Sequence, residues 1–268
     1  MSRPRPLTVV IPGVETRRRV GARVDSQPSL VAVDATGRAR YFGRDAILAH
    51  ARRHSNLSLR RPFIAYDVAD HYLAVAYMTW QVETATDHAN GIVLVVPHAP
   101  AGIRQAWRAI AGWLPGRVAI VPRPIALASG LGLDIDTSTA HMVVDLRSDD
   151  AEISILAEGG IVASAASRDV TPESLARVAR ALLEEVDPDV EDDINQRGLH
   201  LVGNDRVGLA PRLGAMLSLP MMVDTDQDAV LMKGIDVDHA LIESYLDAVR
   251  PPSPIARVMS RLRLSPSA

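Results

Sequence analysis

Residues 141–166 read HMVVDLRSDDAEISILAEGGIVASAA, and this stretch decides the fold. Its apolar run at 142–144 ends in the carboxylate of Asp145 and predicts a buried strand. A polar turn at 147–150 follows, then a second strand at 151–157, a turn at Gly159-Gly160 and a third strand at 161–165. Short β-rich runs joined by Gly and Asp turns are typical of successive hairpins. An acid at a strand end before a tight turn is also a common way to hold Mg²⁺ beside a phosphate.

Composition excludes several classes of function. The chain has 268 residues, of which 47% are hydrophobic and 23% are charged, so it can bury a core. It has no cysteine, which excludes thiol catalysis, disulfides and cysteine-ligated zinc. A net charge of −3 and an aromatic content of 4% argue against nucleic acid as the partner. Because no apolar run approaches the length of a membrane span, we expect a cytoplasmic protein.

The hairpin stretch resembles the second phosphate loop of the actin-like ATPases, in particular their MreB/Mbl-like branch. That family has a strand, then Asp-Ile-Gly-Gly-Gly-Thr, then Thr-Glu and a second strand. Asp145 and Glu152 stand where the family has its acids. Other residue types replace the glycines and the threonine of the loop, namely Arg147, Ser148, Asp149 and Asp150. The resemblance therefore implies a divergent member in which the frame is kept and the loop chemistry is altered.

Other segments carry the same resemblance, which covers roughly residues 7–250. QPSLVAV at 27–33 is similar to the family's Glu-Pro-Ser-Val-Val-Ala-Ile, and IVLVVP at 92–97 is similar to Val-Leu-Val-Cys-Val-Pro. DINQRGLHLVG at 193–203 resembles Asp-Ile-Ser-Glu-Arg-Gly-Met-Val-Leu-Thr-Gly. The implied fold is α/β and actin-like (ribonuclease H-like), with two lobes of mixed sheets flanked by helices. One small subdomain is missing, because the family's insertion before the helix at 171–184 has no counterpart.

The expected organisation has five parts. A flexible N-terminal tail occupies 1–6, actin-like lobe I occupies 7–141, and a reduced lobe II occupies 142–234. A closing helix at 235–250 and a basic amphipathic or disordered tail at 251–268 complete the chain. Smaller expectations are a helix capped by Asp45, a solvated acidic loop at 184–193 and a turn at Lys233-Gly234. His50 and His54 have a metal-binding spacing, but a solvated helix face is the favoured interpretation, so no metal site is predicted.

The resemblance implies a nucleotide cleft with ATP and Mg²⁺, of which four positions remain. Gly13 and Thr16 match the first phosphate loop, Asp145 the second and Gly203 the adenosine loop. Ile11 stands where the first loop has its metal-side aspartate, so an ordinary hairpin turn is the favoured interpretation around Gly13. We therefore predict that none of these remnants binds a cofactor.

Catalysis is also expected to be lost. Pro122 and Arg123 replace the glutamate pair that positions the attacking water in the family, and neither can act as a general base. In the second loop, a carboxylate about 4 Å from a phosphate charge costs on the order of 4 kcal/mol at an effective dielectric near 20. Arg147 or Mg²⁺ could offset part of that repulsion. The sequence thus predicts a non-enzymatic pseudo-ATPase without catalytic residues.

The functional hypothesis is a cell-shape or cell-wall cytoskeletal scaffold protein with a degenerate nucleotide site. Its expected partners are MreB-type subunits or cell-wall synthesis proteins, with peripheral membrane contact through 255–264 and no nucleic acid. One alternative is a small DnaK-type actin-fold chaperone or reactivating factor. A second alternative is an ATP-binding MreB homologue with rewritten loops.

Overall fold

The computed structural model describes residues 7–52, 56–65, 67–85, 91–99, 101–203, 208–237 and 242. The described parts of Met1–Val96, Gln105–Ile120 and Ile242–Ala268 form a first compact unit. Those of Pro97–Arg104 and Val121–Leu241 form a second. Among these residues, every helix is too short or too polar to cross a membrane.

Strands and helices alternate along much of the chain. The strands are β1 Thr8–Ile11, β2 Glu15–Val20, β3 Arg23–Pro28, β4 Val31–Val33, β5 Ala39–Phe42, β6 Ser58–Arg60, β7 Phe63–Ile64, β8 Asp67–Val68, β9 Ile92–Val96, β10 Val118–Pro122, β11 His141–Leu146, β12 Ala151–Ala157, β13 Gly160–Ser167, β14 Leu199–Gly203 and β15 Met221–Asp224. The helices are α1 Gly43–Ala51, α2 His71–Glu83, α3 Ala101–Ala111, α4 Arg123–Leu131, α5 Pro172–Glu184, α6 Pro188–Arg197, α7 Leu209–Leu217 and α8 Gln227–Val237.

The first unit is built on a five-stranded sheet of order β10-β9-β1-β2-β3. In it β1 runs antiparallel to β2 and parallel to β9, so the sheet is mixed. The continuous apolar run of β9 is buried at all five residues, as a strand covered on both faces requires. A smaller antiparallel sheet of order β5-β4-β6 packs beneath α1.

The second unit is built on a sheet of order β13-β12-β11-β14-β15. The first three strands form the two predicted hairpins, whereas β11, β14 and β15 run parallel. Alternate residues of β11 and β12 enter one apolar core with α5, α6 and α7, including Met142, Val144, Ile153 and Ile155. Their other residues are buried as well, on the opposite face of the sheet.

The two hairpin turns confirm the prediction with one shift of register. Residues 147–150 close the first turn, with the N–H of Arg147 donating to the carbonyl of Asp150 at 2.9 Å. The second turn is centred on Glu158 and Gly159, at φ 54° and 75°, one residue earlier than expected. A two-residue hairpin turn with positive φ at both centres matches the twist of the flanking strands.

Three local expectations were wrong. The acidic stretch is not a loop: α6 begins at Pro188, where proline suits the first helical position and acids in the first turn favour the helix dipole. Lys233-Gly234 lies inside α8 instead of in a turn, because Gly234 lets that helix approach α4 closely. Asp45 does not cap α1, which begins two residues earlier, at Gly43.

The unit boundaries also differ from the expected lobe boundary at 141/142. Residues 121–141 belong to the second unit, since α4 packs against α8 and against β11. The first three residues of the expected closing helix, 235–237, belong to α8. The tails at 1–6 and 251–268, His54 and, apart from 242, residues 238–250 lie outside the described residues. Only 168–171 connect β13 to α5, so no subdomain is inserted there.

Candidate functional site

Asp145 lies near the end of β11 and is only 1% exposed. Its partner is Arg123, the first residue of α4, which is only 4% exposed. The guanidinium binds the carboxylate with two parallel bonds: Nε donates to Oδ2 at 2.7 Å and Nη2 donates to Oδ1 at 3.1 Å. A bidentate pair of this kind is the strongest geometry available to an arginine and a carboxylate. The buried acid is therefore neutralised by the protein itself.

Two further side chains complete the surroundings of Asp145. Arg147 Nη1 donates to Oδ2 at 3.3 Å, and the side-chain amide of Gln227 donates to Oδ1. The same amide reaches the carbonyl of Leu146 at 3.2 Å, which attaches the start of α8 to the end of β11. Burial alone would raise the pKa of Asp145, but the charges of Arg123 and Arg147 outweigh it and hold this pKa below its ordinary value. Asp145 is thus a fixed anion.

The turn at 147–150 forms its own ion pair. Arg147 Nε donates to Oδ1 of Asp150, and Asp150 is only 1% exposed. Ser148 and Asp149, at the tip of the turn, are exposed. Burial raises the pKa of Asp150 despite the neighbouring Arg147. Arg147 thus links Asp145 to Asp150. Together with Arg123 these residues form a buried group of charges at the end of β11, which we name the charge cluster.

Glu152 lies directly opposite Asp145 in the register of β11 and β12. It is fully buried, and its Oε1 accepts the backbone N–H groups of His98 at 2.9 Å and Ala99 at 2.8 Å. Among the described residues, Oε2 has no hydrogen-bond partner. Burial raises the pKa of Glu152 to about 7, and the two backbone N–H groups offset only part of that rise.

Gly203 ends β14, the strand next to β11, and is paired with Leu146. Its φ is +134°, and a Cβ at this position would overlap the carbonyl oxygen of Leu146. The pairing of β14 with β11 is therefore a sufficient reason for a glycine at position 203. The structure brings Gly203 and Asp145 onto adjacent strand ends.

Gly13 lies in the turn between β1 and β2, and Thr16 lies in β2. Both residues belong to the first unit. The antiparallel pairing of these strands confirms the hairpin interpretation. Thr16 is fully buried, and its hydroxyl lies 2.8 Å from that of Ser29. The side chain of Thr16 is thus engaged in the interior of this unit.

Sequence reasoning missed Arg123 and Gln227 as partners of Asp145. Arg123 was noted only as the replacement of a glutamate. An arginine inside an otherwise apolar helix start was the available signal, since a buried guanidinium requires an anion. Within the part of the chain that the structure describes, no group of three or more His, Asp or Glu side chains is arranged to hold a metal ion.

Comparison with known families settles the class of the protein. The family model described as MreB/Mbl protein matches residues 19–171, more than half of the chain. The chain belongs to the MreB/Mbl family. The matched region includes β11, β12, β13 and the charge cluster between them, whereas the 193–203 stretch lies beyond it.

Relatives within the MreB/Mbl family are distant. The cell shape-determining protein MreB of Pasteurella multocida is 26% identical over 156 residues, which are 53% of this chain and 44% of that protein. The Escherichia coli protein of the same name is 27% identical over 157 residues, 53% of this chain and 45% of that protein. The matches thus span less than half the length of these relatives.

Solved structures show the fold. MreB5 of Spiroplasma citri bound to ADP superposes with a TM-score of 0.72 at 16% identity, covering 91% of this chain and 99% of that one. A MamK mutant described as non-polymerising and bound to AMPPNP gives a TM-score of 0.64 at 15% identity, covering 90% and 100%. The expected actin-like fold, with mixed sheets flanked by helices, is confirmed.

Proposed function

We propose that this MreB/Mbl-family protein is a subunit of a bacterial cell-shape scaffold that assembles with like subunits and neither binds nor hydrolyses ATP. Family membership supports the scaffold role, since the matched relatives are named cell shape-determining proteins. A solved structural neighbour is described as a double helical filament, which supports assembly with like subunits. The observation that carries the loss of nucleotide binding is the bidentate contact of Arg123 with Asp145.

The contact argues against Mg²⁺ for an electrostatic reason. Among the described residues, four side-chain hydrogen bonds reach the carboxylate of Asp145, three of them from guanidinium groups. A divalent cation would have to displace Arg123 from a buried position and would then face the charge of Arg147. Two like unit charges 4 Å apart repel by about 4 kcal/mol at an effective dielectric of 20. Arg123 therefore takes the place at Asp145 that a metal ion would need.

Hydrolysis lacks a base for a related reason. The family resemblance places a water-positioning glutamate pair at 122–123, and here Pro122 precedes an arginine whose donors bind Asp145. Gly13 and Thr16 in the first unit, and Asp145 and Gly203 in the second, are then remnants of the family's phosphate and adenosine loops. Gly203 is retained because the sheet needs it.

We further infer the setting of the scaffold from the family. Like subunits or cell-wall synthesis proteins are the expected partners, in the cytoplasm, with peripheral membrane contact through residues 255–264. The matched family model favours this assignment over the DnaK-type chaperone alternative.

Sedimentation of purified protein with and without ATP and Mg²⁺ tests the proposal. We expect concentration-dependent assemblies that form to the same extent with and without nucleotide. Assembly that requires ATP would contradict the pseudo-ATPase part and support the alternative of rewritten, functional loops. A pull-down that captures neither actin-like subunits nor cell-wall proteins would contradict the scaffold part.

A further inference from the structure

Charge is divided unevenly along this chain. Residues 1–61 contain 13 of the 29 basic side chains and 4 of the 32 acidic ones, a net charge of +9. The remaining residues carry a net charge of −12. A basic end and an acidic remainder in one chain provide complementary surfaces for different partners or for each other.

The basic part presents an exposed helix face on α1. This helix buries only Gly43, Ala46 and Ala49 against its unit. Its exposed residues at helical spacing are Arg44, Ile47, Leu48 and Ala51, and with Arg52, which directly follows the helix, we name them the α1 stripe. Asp45 is exposed beside the stripe, so the stripe keeps an excess of one positive charge when Asp45 is included. Ile47 and Leu48 are 40% and 62% exposed, so two apolar side chains lie on the surface between two arginines.

The acidic part presents a matching surface on and before α6. Residues 184–193 contain seven carboxylates and no basic side chain. Six of them are exposed and form what we name the acidic face: Glu184, Glu185, Asp187, Asp189, Glu191 and Asp192. Val186 and Val190 are half-buried among them and supply apolar surface between the charges.

We propose that the α1 stripe of one copy docks on the acidic face of a second copy. This inference rests on the proposed function and names the surface through which like subunits meet. Charge complementarity selects the occupant: the arginines of the stripe meet carboxylates, and Ile47 and Leu48 meet the valines between them. A stripe facing another stripe would instead bring together two parts of the chain that each carry a net charge of +9.

The contact has a defined symmetry. Because it joins two different surfaces of the same chain, it is heterologous, and each copy retains one free stripe or one free acidic face. Repetition of such a contact produces a polar, head-to-tail chain of subunits or a closed ring. A two-fold dimer through either surface alone is not expected.

Paired charge reversals test the contact in the full-length protein. The first variant is Arg44→Glu with Arg52→Glu, and the second is Glu191→Arg with Asp192→Arg. Arg108→Glu with Arg177→Glu is the matched control, since it reverses two exposed arginines on other helices. Thermal melting tests whether each variant is folded. Analytical ultracentrifugation then measures self-association at about 50 mM salt, where charges are weakly screened, and at about 500 mM salt, where they are strongly screened.

We expect each of the first two variants alone to self-associate at least about tenfold more weakly than the parent at low salt. An equimolar mixture of the two should recover association, because the reversed stripe meets the reversed acidic face. The control should behave like the parent, and high salt should weaken the parent.

Other outcomes overturn the inference. Parent-like association of the stripe variant, or no recovery in the mixture, would overturn the contact and leave the proposed scaffold role intact. Loss of binding to vesicles of anionic phospholipid in that variant, with self-association unchanged, would assign the stripe to a membrane instead. A parent that remains monomeric at all concentrations would overturn the contact and the scaffold role together.

Discussion

Asp145 and Glu152 face each other across the β11–β12 hairpin, yet their buried carboxyl groups are balanced in opposite ways. Asp145 receives the bidentate guanidinium of Arg123 and remains ionised, because its pKa is lowered. Glu152 receives two backbone N–H groups, and its pKa is raised to about 7 by burial. The site therefore holds one fixed anion beside one carboxyl that titrates near neutral pH.

Removing the cation from this pair should destabilise the protein strongly. Arg123→Ala leaves Asp145 buried with only Arg147 and Gln227, so the free energy of unfolding should fall by about 3–5 kcal/mol in urea denaturation. The double variant Arg123→Leu with Asp145→Leu removes both buried charges and should recover much of the loss. A double variant less stable than Arg123→Ala would contradict the assignment of this pair as a buried charge balance.

Glu152 should make stability fall as pH rises. The pKa of this carboxyl is 4.5 without the influence of the folded structure and about 7 in the folded protein. Between these two pH values the folded state therefore binds more protons than the unfolded state. Stability is therefore lost from about pH 4.5 upward until Glu152 is fully ionised. Between pH 4.5 and pH 8 the free energy of unfolding of Glu152→Gln should increase by about 3 kcal/mol relative to that of the parent, as measured by denaturation across this pH range. Glu184→Gln, which removes an exposed carboxyl, is the control, and parallel profiles for Glu152→Gln and the parent would refute the prediction.

Gly203 should prove structural. Gly203→Ala places a Cβ against the carbonyl of Leu146 at a φ of +134°, so the variant should lose several kcal/mol of stability without any nucleotide present. Gly208→Ala is a useful comparison, because it also has a positive φ but nothing within 4 Å of its Cβ. Equal melting temperatures for the two variants would show that close approach to Leu146 is unimportant.

Close packing of α4 against α8 should also depend on glycine. A Cβ on Gly130 would overlap the carbonyl of Val230, and one on Gly234 would overlap that of Ala126. Gly130→Ala should therefore lower the melting temperature. Gly102→Ala is the matched control, since its Cβ meets nothing within 4 Å and alanine favours a helix by about 0.5–1 kcal/mol. A melting temperature for Gly130→Ala at or above that of the control would contradict this packing.

Local pattern was sufficient for most elements of the fold. The strand at 151–157 has the predicted bounds, and the helix expected at 171–184 is observed at Pro172–Glu184. Thr171 caps this helix by accepting the N–H of Ser174. These features depend on periodicity, turn residues and caps within a few positions. The helix α6 differs from the prediction because charge density alone predicts a solvated loop, whereas Pro188 is suited to the first turn of a helix.

The site required tertiary information. Arg123 and Asp145 are 22 positions apart, and Gln227 is 82 positions from Asp145, so no local pattern joins them. Glu152 was assigned to a family position, but its backbone donors at 98–99 lie on a separate segment that folding brings to β12. The sequence predicted altered chemistry at the loop, and the structure shows which side chains neutralise the retained acid.

Calorimetric titration of the purified protein with ATP and Mg²⁺, together with a thermal shift, tests the central claim most directly. If Arg123 holds the place of the metal at Asp145, the titration should produce no binding heat and nucleotide should not raise the melting temperature. Binding with a micromolar dissociation constant would contradict the claim and show that the rewritten loops form a working nucleotide site.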